Sequence, residues 1–126
     1  MKEQESWREW DLSGLSVTQL RLDYAFSVHL WTLDRDLLVR FGTPFKFRPT
    51  SGGTLEIDPE NPSTVVPALS VLHQPAASFR VSSADRCALQ LADGSELSSE
   101  PHPEYESWES EGSGDLESAS WLARIG

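Results

Sequence analysis

Apolar residues alternate with other residues in the stretch LRLDYAFSVHLW, residues 20–31. A period of two places successive side chains on opposite faces of a β-strand, so the apolar even positions predict one buried face. We therefore expect one long strand over residues 17–31. Its odd face carries Arg21, Asp23 and His29. This face is either exposed, as a solvated surface or a contact surface, or partly covered by a helix.

A second alternation runs over residues 37–48, where the odd positions are mostly apolar. Pro44 interrupts it, and proline has no backbone N–H to donate to a neighbouring strand. We therefore expect this strand to lie at a sheet edge or to carry a bulge at Pro44. Shorter alternations and turn signals predict the remaining strands over residues 54–58, 77–83, 87–99 (a hairpin around Asp93–Gly94), 105–109 and 118–126.

One connection, residues 59–75, is long enough for a helix. Prolines punctuate both of its ends, and Val65, Leu69 and Leu72 form an apolar stripe. We expect one core helix near residues 63–74. Short turns join the other elements, which favours antiparallel pairing. The pattern therefore predicts an α+β fold that is β-rich, with a curved, mainly antiparallel sheet of seven or eight strands and this helix against it.

The N-terminal residues 1–11 are charged and contain Trp7 and Trp10. Their spacing would place both rings on one face of a short helix. We expect an N-terminal extension, either a short helix or disordered, followed by a single β-rich domain over residues 12–126. No apolar run approaches the roughly 18 to 20 residues of a membrane helix. The one cysteine, Cys87, excludes an internal disulfide. We expect it to be a packed core thiol in a cytoplasmic protein.

The net charge of the chain is −10, from 20 acidic and 10 basic residues. Nucleic acids and anionic membranes are bound through basic faces, so we expect neither of them as a partner. Most of the excess lies in residues 87–126, which hold nine acidic residues and one basic residue, Arg124.

Side chains with catalytic or metal-binding chemistry do not show the spacing of a known active site. The histidines are too far apart in sequence, and too far from Cys87, to match zinc-site spacing. Paired carboxylates lie in polar, turn-rich sequence, whereas acid–base catalysis needs one of the pair to be buried. No nucleophile elbow or phosphate loop is present. We therefore predict a protein without enzymatic activity, metal or cofactor. The three histidines are His29, His73 and His102.

Two aromatic residues lie among carboxylates in the acidic segment, residues 100–117. Carboxylates speed and orient the encounter with a basic protein, and aromatic rings supply desolvated contact area. One interpretation is therefore a contact surface for a basic protein. The other is an acidic face that maintains solubility, with Tyr105 and Trp108 in the core. The candidate partner-binding residues are Glu100, Glu104, Tyr105, Glu106, Trp108, Glu109, Glu111, Asp115 and Glu117.

Four stretches resemble a family of small bacterial proteins of unknown function that is frequent in actinobacteria. They are SVTQLRLDYAFSVHL, TLEIDPE, LADGSEL and HPEYESWE. The first has the pattern V-T-x-x-R-x-D-Y-A-F, and the last has Y-E-x-W. The resemblance covers about residues 12–126 and implies no chemistry, because the family has no assigned function. The matching residues are Val17, Thr18, Arg21, Asp23, Tyr24, Ala25, Phe26, Asp93, Gly94, Tyr105, Glu106 and Trp108.

Three functions are compatible with these features. The first is a non-enzymatic protein-binding module, most concretely an immunity protein that blocks the basic cleft of a toxin domain with its acidic surface. The second is an accessory or scaffold subunit that self-associates through the Pro44 strand edge or the Trp7 and Trp10 segment. The third is a small-ligand-binding domain that uses the concave side of the sheet.

Overall fold

Residues 4–126 are described by the computed structural model, and they form eleven β-strands and three short helical segments. The helical segments are α1 (Pro62–Val65), a first 3₁₀ helix (Val66–Val71) and a second 3₁₀ helix (Gly114–Ala119). The strands are β1 (Trp7–Asp11), β2 (Val17–Leu22), β3 (Phe26–Trp31), β4 (Asp36–Phe41), β5 (Phe45–Arg48), β6 (Leu55–Ile57), β7 (Ala76–Ser82), β8 (Cys87–Leu91), β9 (Glu96–Ser99), β10 (Trp108–Ser113) and β11 (Trp121–Leu122).

The strands form two antiparallel sheets whose inner faces share one hydrophobic core. The six-stranded sheet has the order β1-β7-β8-β9-β5-β6, and the five-stranded sheet has the order β11-β10-β4-β3-β2. The predicted β-rich, antiparallel class is therefore confirmed. The predicted single curved sheet of seven or eight strands is wrong, because several predicted strands are broken by turns and divided between two layers.

The predicted strand over residues 17–31 is a hairpin of β2 and β3 with its turn at residues 23–25. The Asp23 carboxylate accepts a hydrogen bond from the Ala25 N–H at 2.8 Å, and Leu22 pairs with Phe26. These paired residues are an even number of positions apart, so the apolar alternation stays in phase through the turn. Leu22 is 41% exposed because β2 is the edge strand of its sheet.

The predicted strand over residues 37–48 is also two strands, and they belong to different sheets. β4 ends at Phe41, and the chain crosses between the layers before β5 begins at Phe45. The Phe41 and Phe45 rings stack across the core at a centroid distance of 4.3 Å. Pro44 lies in the crossing, and both strands have neighbours on each side. The edge-strand prediction, and with it self-association through a Pro44 edge, is therefore wrong.

The predicted core helix is a single α-helical turn followed by a 3₁₀ helix. With three residues per turn, the buried side chains are Val65, Ala68 and Val71, so only Val65 of the predicted stripe is confirmed as buried. Leu69 and Leu72 are instead 48% and 37% exposed. Pro67 contributes to this change, because it cannot donate the hydrogen bond that an α-helix requires.

The N-terminal segment contains strand β1, which pairs with β7 at the edge of the six-stranded sheet. The predicted helix or disordered extension is therefore wrong over Trp7–Asp11, and residues 1–3 of that prediction lie outside the described residues. In a strand, Trp7 and Trp10 point to opposite faces. Trp10 is 9% exposed in the core, so the two rings do not form one surface for self-association.

The hairpin of β8 and β9 around Asp93–Gly94 is confirmed, and its apolar residues are buried as predicted. Cys87 is buried in the core, which confirms a packed core thiol, and this burial raises the pKa of the thiol. The last two predicted strands are shifted: β10 begins at Trp108, and β11 spans only Trp121–Leu122. Within residues 4–126 no helix is long and apolar enough to span a membrane.

Candidate functional site

The predicted contact residues fall in three separate places rather than in one patch. The loop 100–107 precedes β10, two glutamates lie along β10, and the second 3₁₀ helix follows it. The 3₁₀ helix folds back along β10, since the Gly112 N–H donates to the Ser120 hydroxyl at 3.0 Å. The loop holds Glu100, Glu104, Tyr105 and Glu106, the strand holds Glu109 and Glu111, and the 3₁₀ helix holds Asp115 and Glu117.

Trp108 is not a surface residue. Its side chain is 1% exposed, and its indole N–H donates to the backbone oxygen of Asp85 at 2.9 Å. Its ring meets Phe79 edge-on at a centroid distance of 6.2 Å. The prediction of Trp108 as a contact residue is therefore wrong, since it is a core residue that joins the two sheets. The feature of the sequence that indicates this burial is an apolar side chain at the start of a strand.

Three of the predicted carboxylates form ion pairs within the chain. Glu100 lies 3.4 Å from the Arg86 guanidinium, and Glu109 lies 3.8 Å from that of Arg40. Asp115 accepts a hydrogen bond from Arg35 Nε at 2.8 Å. Arg35 also donates to the backbone oxygens of Asp11 and Ser13, so this pair joins the second 3₁₀ helix to the segment after β1.

Tyr105 and Glu106 of the loop 100–107 line a groove together with His102, whereas Glu104 is exposed outside its lining. Three segments that are distant in sequence meet there: the β2–β3 turn, the turn after β6 and this loop. The groove has a volume of about 550 Å³. We call it the tyrosine groove, and its lining residues are Tyr24, Ala25, Arg40, Gly42, Thr43, Pro44, Asp58, Glu60, His102, Tyr105 and Glu106.

Two exposed tyrosines are held at the tyrosine groove by turns with internal hydrogen bonds. Tyr24 is 83% exposed at the tip of the β2–β3 turn. The Ala25 N–H that closes this turn lowers the pKa of the Asp23 carboxyl. Tyr105 is 60% exposed, and its ring centroid lies 5.1 Å from that of His102. The His102 backbone oxygen accepts from the Gly126 N–H at 3.0 Å, which ties this loop to the C-terminus.

The charged residues of the tyrosine groove are mostly acidic. Asp58, Glu60 and Glu106 line it together with a single guanidinium, that of Arg40. Carboxylates bind guanidinium and ammonium groups through charge-assisted hydrogen bonds, and aromatic faces attract the same cations. This arrangement suits the recognition of lysine or arginine side chains.

The sequence predicted only part of this groove. The sequence predicts Tyr105 and Glu106 as contact residues, but its apolar alternation predicts Tyr24 on the buried face of a continuous strand. The available signal was Asp23, because aspartate often closes a turn by accepting a hydrogen bond from the backbone two residues on. No local pattern indicated that Asp58 and Glu60 would join the same site, since their proximity depends on the pairing of whole strands.

Side chains that could ligate a metal ion do not gather into a site within residues 4–126. This part of the chain contains no group of three or more His, Cys, Asp and Glu side chains placed to hold a metal ion. His29 and Asp36 form one such pair, and their Nε2 and Oδ1 atoms lie 2.6 Å apart on the outer face of the five-stranded sheet.

Comparison with known proteins identifies the family of this chain. No curated protein and no solved structure shows significant similarity to it. The model of a family of unknown function, DUF6188, matches residues 8–121, a span that includes both tyrosines of the groove. This match confirms the resemblance to an uncharacterised domain family. The chain therefore belongs to the DUF6188 family, a family of unknown function.

Proposed function

We propose that this chain is a non-enzymatic binding protein that captures a basic protein surface in the tyrosine groove. The observation that carries the proposal is the pair of exposed tyrosines, Tyr24 and Tyr105, beside three carboxylates. Tyrosine is enriched among the residues that dominate binding energy, because it combines a large apolar ring with a polar tip.

The charge of the whole chain supports the same partner class. A net charge of −10 attracts a basic partner over long distances and speeds its association. The three carboxylates of the groove would then pair with individual lysine or arginine side chains at short range. Salt screens the first effect, so association should slow as ionic strength rises.

The most concrete partner of this kind is a toxin domain with a basic active-site cleft, and the chain would then be an immunity protein. Blocking such a cleft needs a protruding surface rather than catalytic groups of its own. The exposed tip of the β2–β3 turn provides this surface, because Tyr24 extends into solvent beside the groove. The cytoplasm is the proposed compartment, since the single thiol, Cys87, is free.

Affinity purification of the tagged protein from its own host at low salt, followed by mass spectrometry, would identify the partner. Binding to the purified partner is then compared between Tyr24→Ala or Tyr105→Ala and Trp31→Ala. Trp31 is a matched control, because it is 50% exposed on the five-stranded sheet outside the groove. We expect each tyrosine variant to weaken binding by about tenfold or more, and the control to bind as the wild type does.

Two charge-reversal variants distinguish the contribution of the groove to binding from that of the rest of the acidic segment. Glu106→Lys changes a residue that lines the groove, whereas Glu111→Lys changes an outward-facing residue of β10. We expect the first variant to slow association much more than the second. If Glu111→Lys and Trp31→Ala impair binding as strongly as the groove variants, the contact lies on the outer face of the five-stranded sheet and the proposal is wrong.

A further inference from the structure

A single row of side chains crosses all six strands of the larger sheet on its outer face. Directly paired residues of neighbouring strands lie on the same side of a sheet, so the strand register defines this row. Two small residues form its centre. On each side of them, toward the edges of the sheet, lie a basic residue and then an acidic residue. In spatial order the row is Glu9, Arg80, Ala88, Ser98, Lys46 and Glu56.

The small residues at the centre of the row form the floor of a trough. Neighbouring strands are about 4.8 Å apart, so the Cα atoms of Arg80 and Lys46 are separated by roughly 14 Å across Ala88 and Ser98. The two long cationic side chains therefore face each other over short ones. A pocket of about 400 Å³ lies here, which is within the range of small-molecule sites. Trp7, Arg86, Pro101 and His102 complete its walls.

The hydrogen-bonding capacity of Arg80 is not filled by the protein. Its guanidinium lies 4.9 Å from the centre of the Trp7 ring, and its contact with Glu96 is long, at 3.5 Å. Its Nε atom is buried and has no hydrogen-bond partner within the described chain. An arginine carries five N–H donors, so Arg80 retains capacity for a further acceptor.

Lys46, on the opposite side of the trough, has the same unused capacity. Among residues 4–126 no carboxylate oxygen lies within 4.0 Å of its ammonium group, although Glu56 is its cross-strand neighbour. Glu96 instead pairs with Arg80 and Arg48, and it is held at the side of the trough. A group that accepts hydrogen bonds from both Arg80 and Lys46 would satisfy both cations.

We propose that this trough binds a small anion through a carboxylate or phosphate group held between Arg80 and Lys46. The size of the ligand follows from the charge balance. The chain as a whole repels polyanions, because its net charge is −10, and the carboxylates around the trough limit attraction to short range. A compact anion that fits on the floor of the trough contacts both Arg80 and Lys46 without extending over Glu56 or Glu100. The trough borders the tyrosine groove, because Thr43, Pro44 and His102 line both, but neither Arg80 nor Lys46 lines the groove. Its anion binding therefore does not depend on the protein partner.

Calorimetric titration of the full chain with citrate and with pyrophosphate tests the proposal. We expect millimolar or tighter binding of at least one probe, and the better probe identifies a carboxylate or a phosphate ligand. Arg80→Gln and Lys46→Gln should each weaken it by about tenfold, the usual effect of losing a charge-assisted hydrogen bond. Ser98→Leu should abolish it by filling the floor. Arg21→Gln, at an exposed arginine of the other sheet, is the control and should leave it unchanged.

One further variant is expected to strengthen anion binding rather than weaken it. Glu96→Gln removes the carboxylate that competes for Arg80, so it should strengthen binding several-fold. Thermal unfolding of each variant verifies that it is folded. The proposal is overturned if neither probe binds, if Arg21→Gln weakens binding as much as Lys46→Gln does, or if Ser98→Leu binds as the wild type does while remaining folded.

Discussion

Arg124 surrounds the buried carboxylate of Asp85 with three hydrogen bonds. Its backbone N–H and its Nε donate to Oδ2 at 2.7 and 2.8 Å, and a terminal guanidinium nitrogen donates to Oδ1 at 3.2 Å. The Asp85 side chain is 3% exposed, and it also accepts a bond from the Trp121 indole at 3.3 Å. The turn between β7 and β8 therefore anchors the C-terminal segment, which in turn contacts the loop 100–107 through Gly126.

Replacing this carboxylate should destabilise the fold. Asp85→Asn removes the charge that Arg124 and Trp121 stabilise, and we expect it to lower the free energy of unfolding by roughly 1–3 kcal/mol, the scale of lost charge-assisted hydrogen bonds. Urea denaturation followed by tryptophan fluorescence measures this change. Arg124→Gln keeps the backbone and indole bonds to Asp85, so its effect should be smaller. Equal stability of Asp85→Asn and the wild type would contradict the anchoring role.

The same carboxylate should make stability depend on acid pH. Burial alone would raise the pKa of Asp85, but hydrogen bonds from Arg124 and Trp121 outweigh it and hold the pKa below its usual range. A carboxyl whose pKa is depressed by folding contributes stability above its unfolded pKa of about 3.9 and loses it as pH falls through the folded value.

Urea denaturation of the wild type and Asp85→Asn at several pH values tests this dependence. The stability difference between them should be constant from pH 7 to about pH 5 and should shrink below about pH 4. A difference that stays constant into strongly acidic conditions would show that Asp85 is not the titrating group.

The alternation of apolar residues correctly predicted the parts of the fold in which a strand pairs with one neighbouring strand on each side. The β8–β9 hairpin is such a case, since its alternation and its Asp93–Gly94 turn agree. The β2–β3 turn escaped prediction because Leu22 and Phe26 keep the apolar alternation in phase across it. The assignment of β4 and β5 to different sheets also escaped, because a proline interruption is compatible with a bulge, an edge or a crossing.

The candidate site shows the same limit of local patterns. The sequence indicated Tyr105 and Glu106 because aromatic and acidic residues are concentrated near them. It did not associate them with Tyr24 or with Asp58 and Glu60, which reach the groove through strand pairing over long sequence distances. Trp108, in the same acidic segment, was misplaced because composition does not distinguish the face of a strand on which a residue lies.

Trp108 should behave as a core residue in mutational tests. Trp108→Phe keeps an aromatic ring but leaves the Asp85 backbone oxygen without its indole donor and opens a small cavity. We expect a loss of roughly 1–3 kcal/mol in the free energy of unfolding. Once folded, the variant should bind the partner with unchanged affinity. Reduced affinity at unchanged stability would instead indicate that Trp108 reaches the contact surface.

Gly114 should be the least replaceable of the glycines with positive φ. Its φ is +65°, and an added Cβ would collide with the backbone oxygen of Asp34. Gly52 has a φ of +91°, but a Cβ there would meet no atom within 4 Å. Both alanine variants incur the strain of a left-handed backbone, of about 1 kcal/mol, and only Gly114→Ala adds a backbone clash. Thermal unfolding should therefore show a clearly larger loss for Gly114→Ala than for Gly52→Ala. Equal losses would mean that the turn after β10 can move away from the β3–β4 connection without cost.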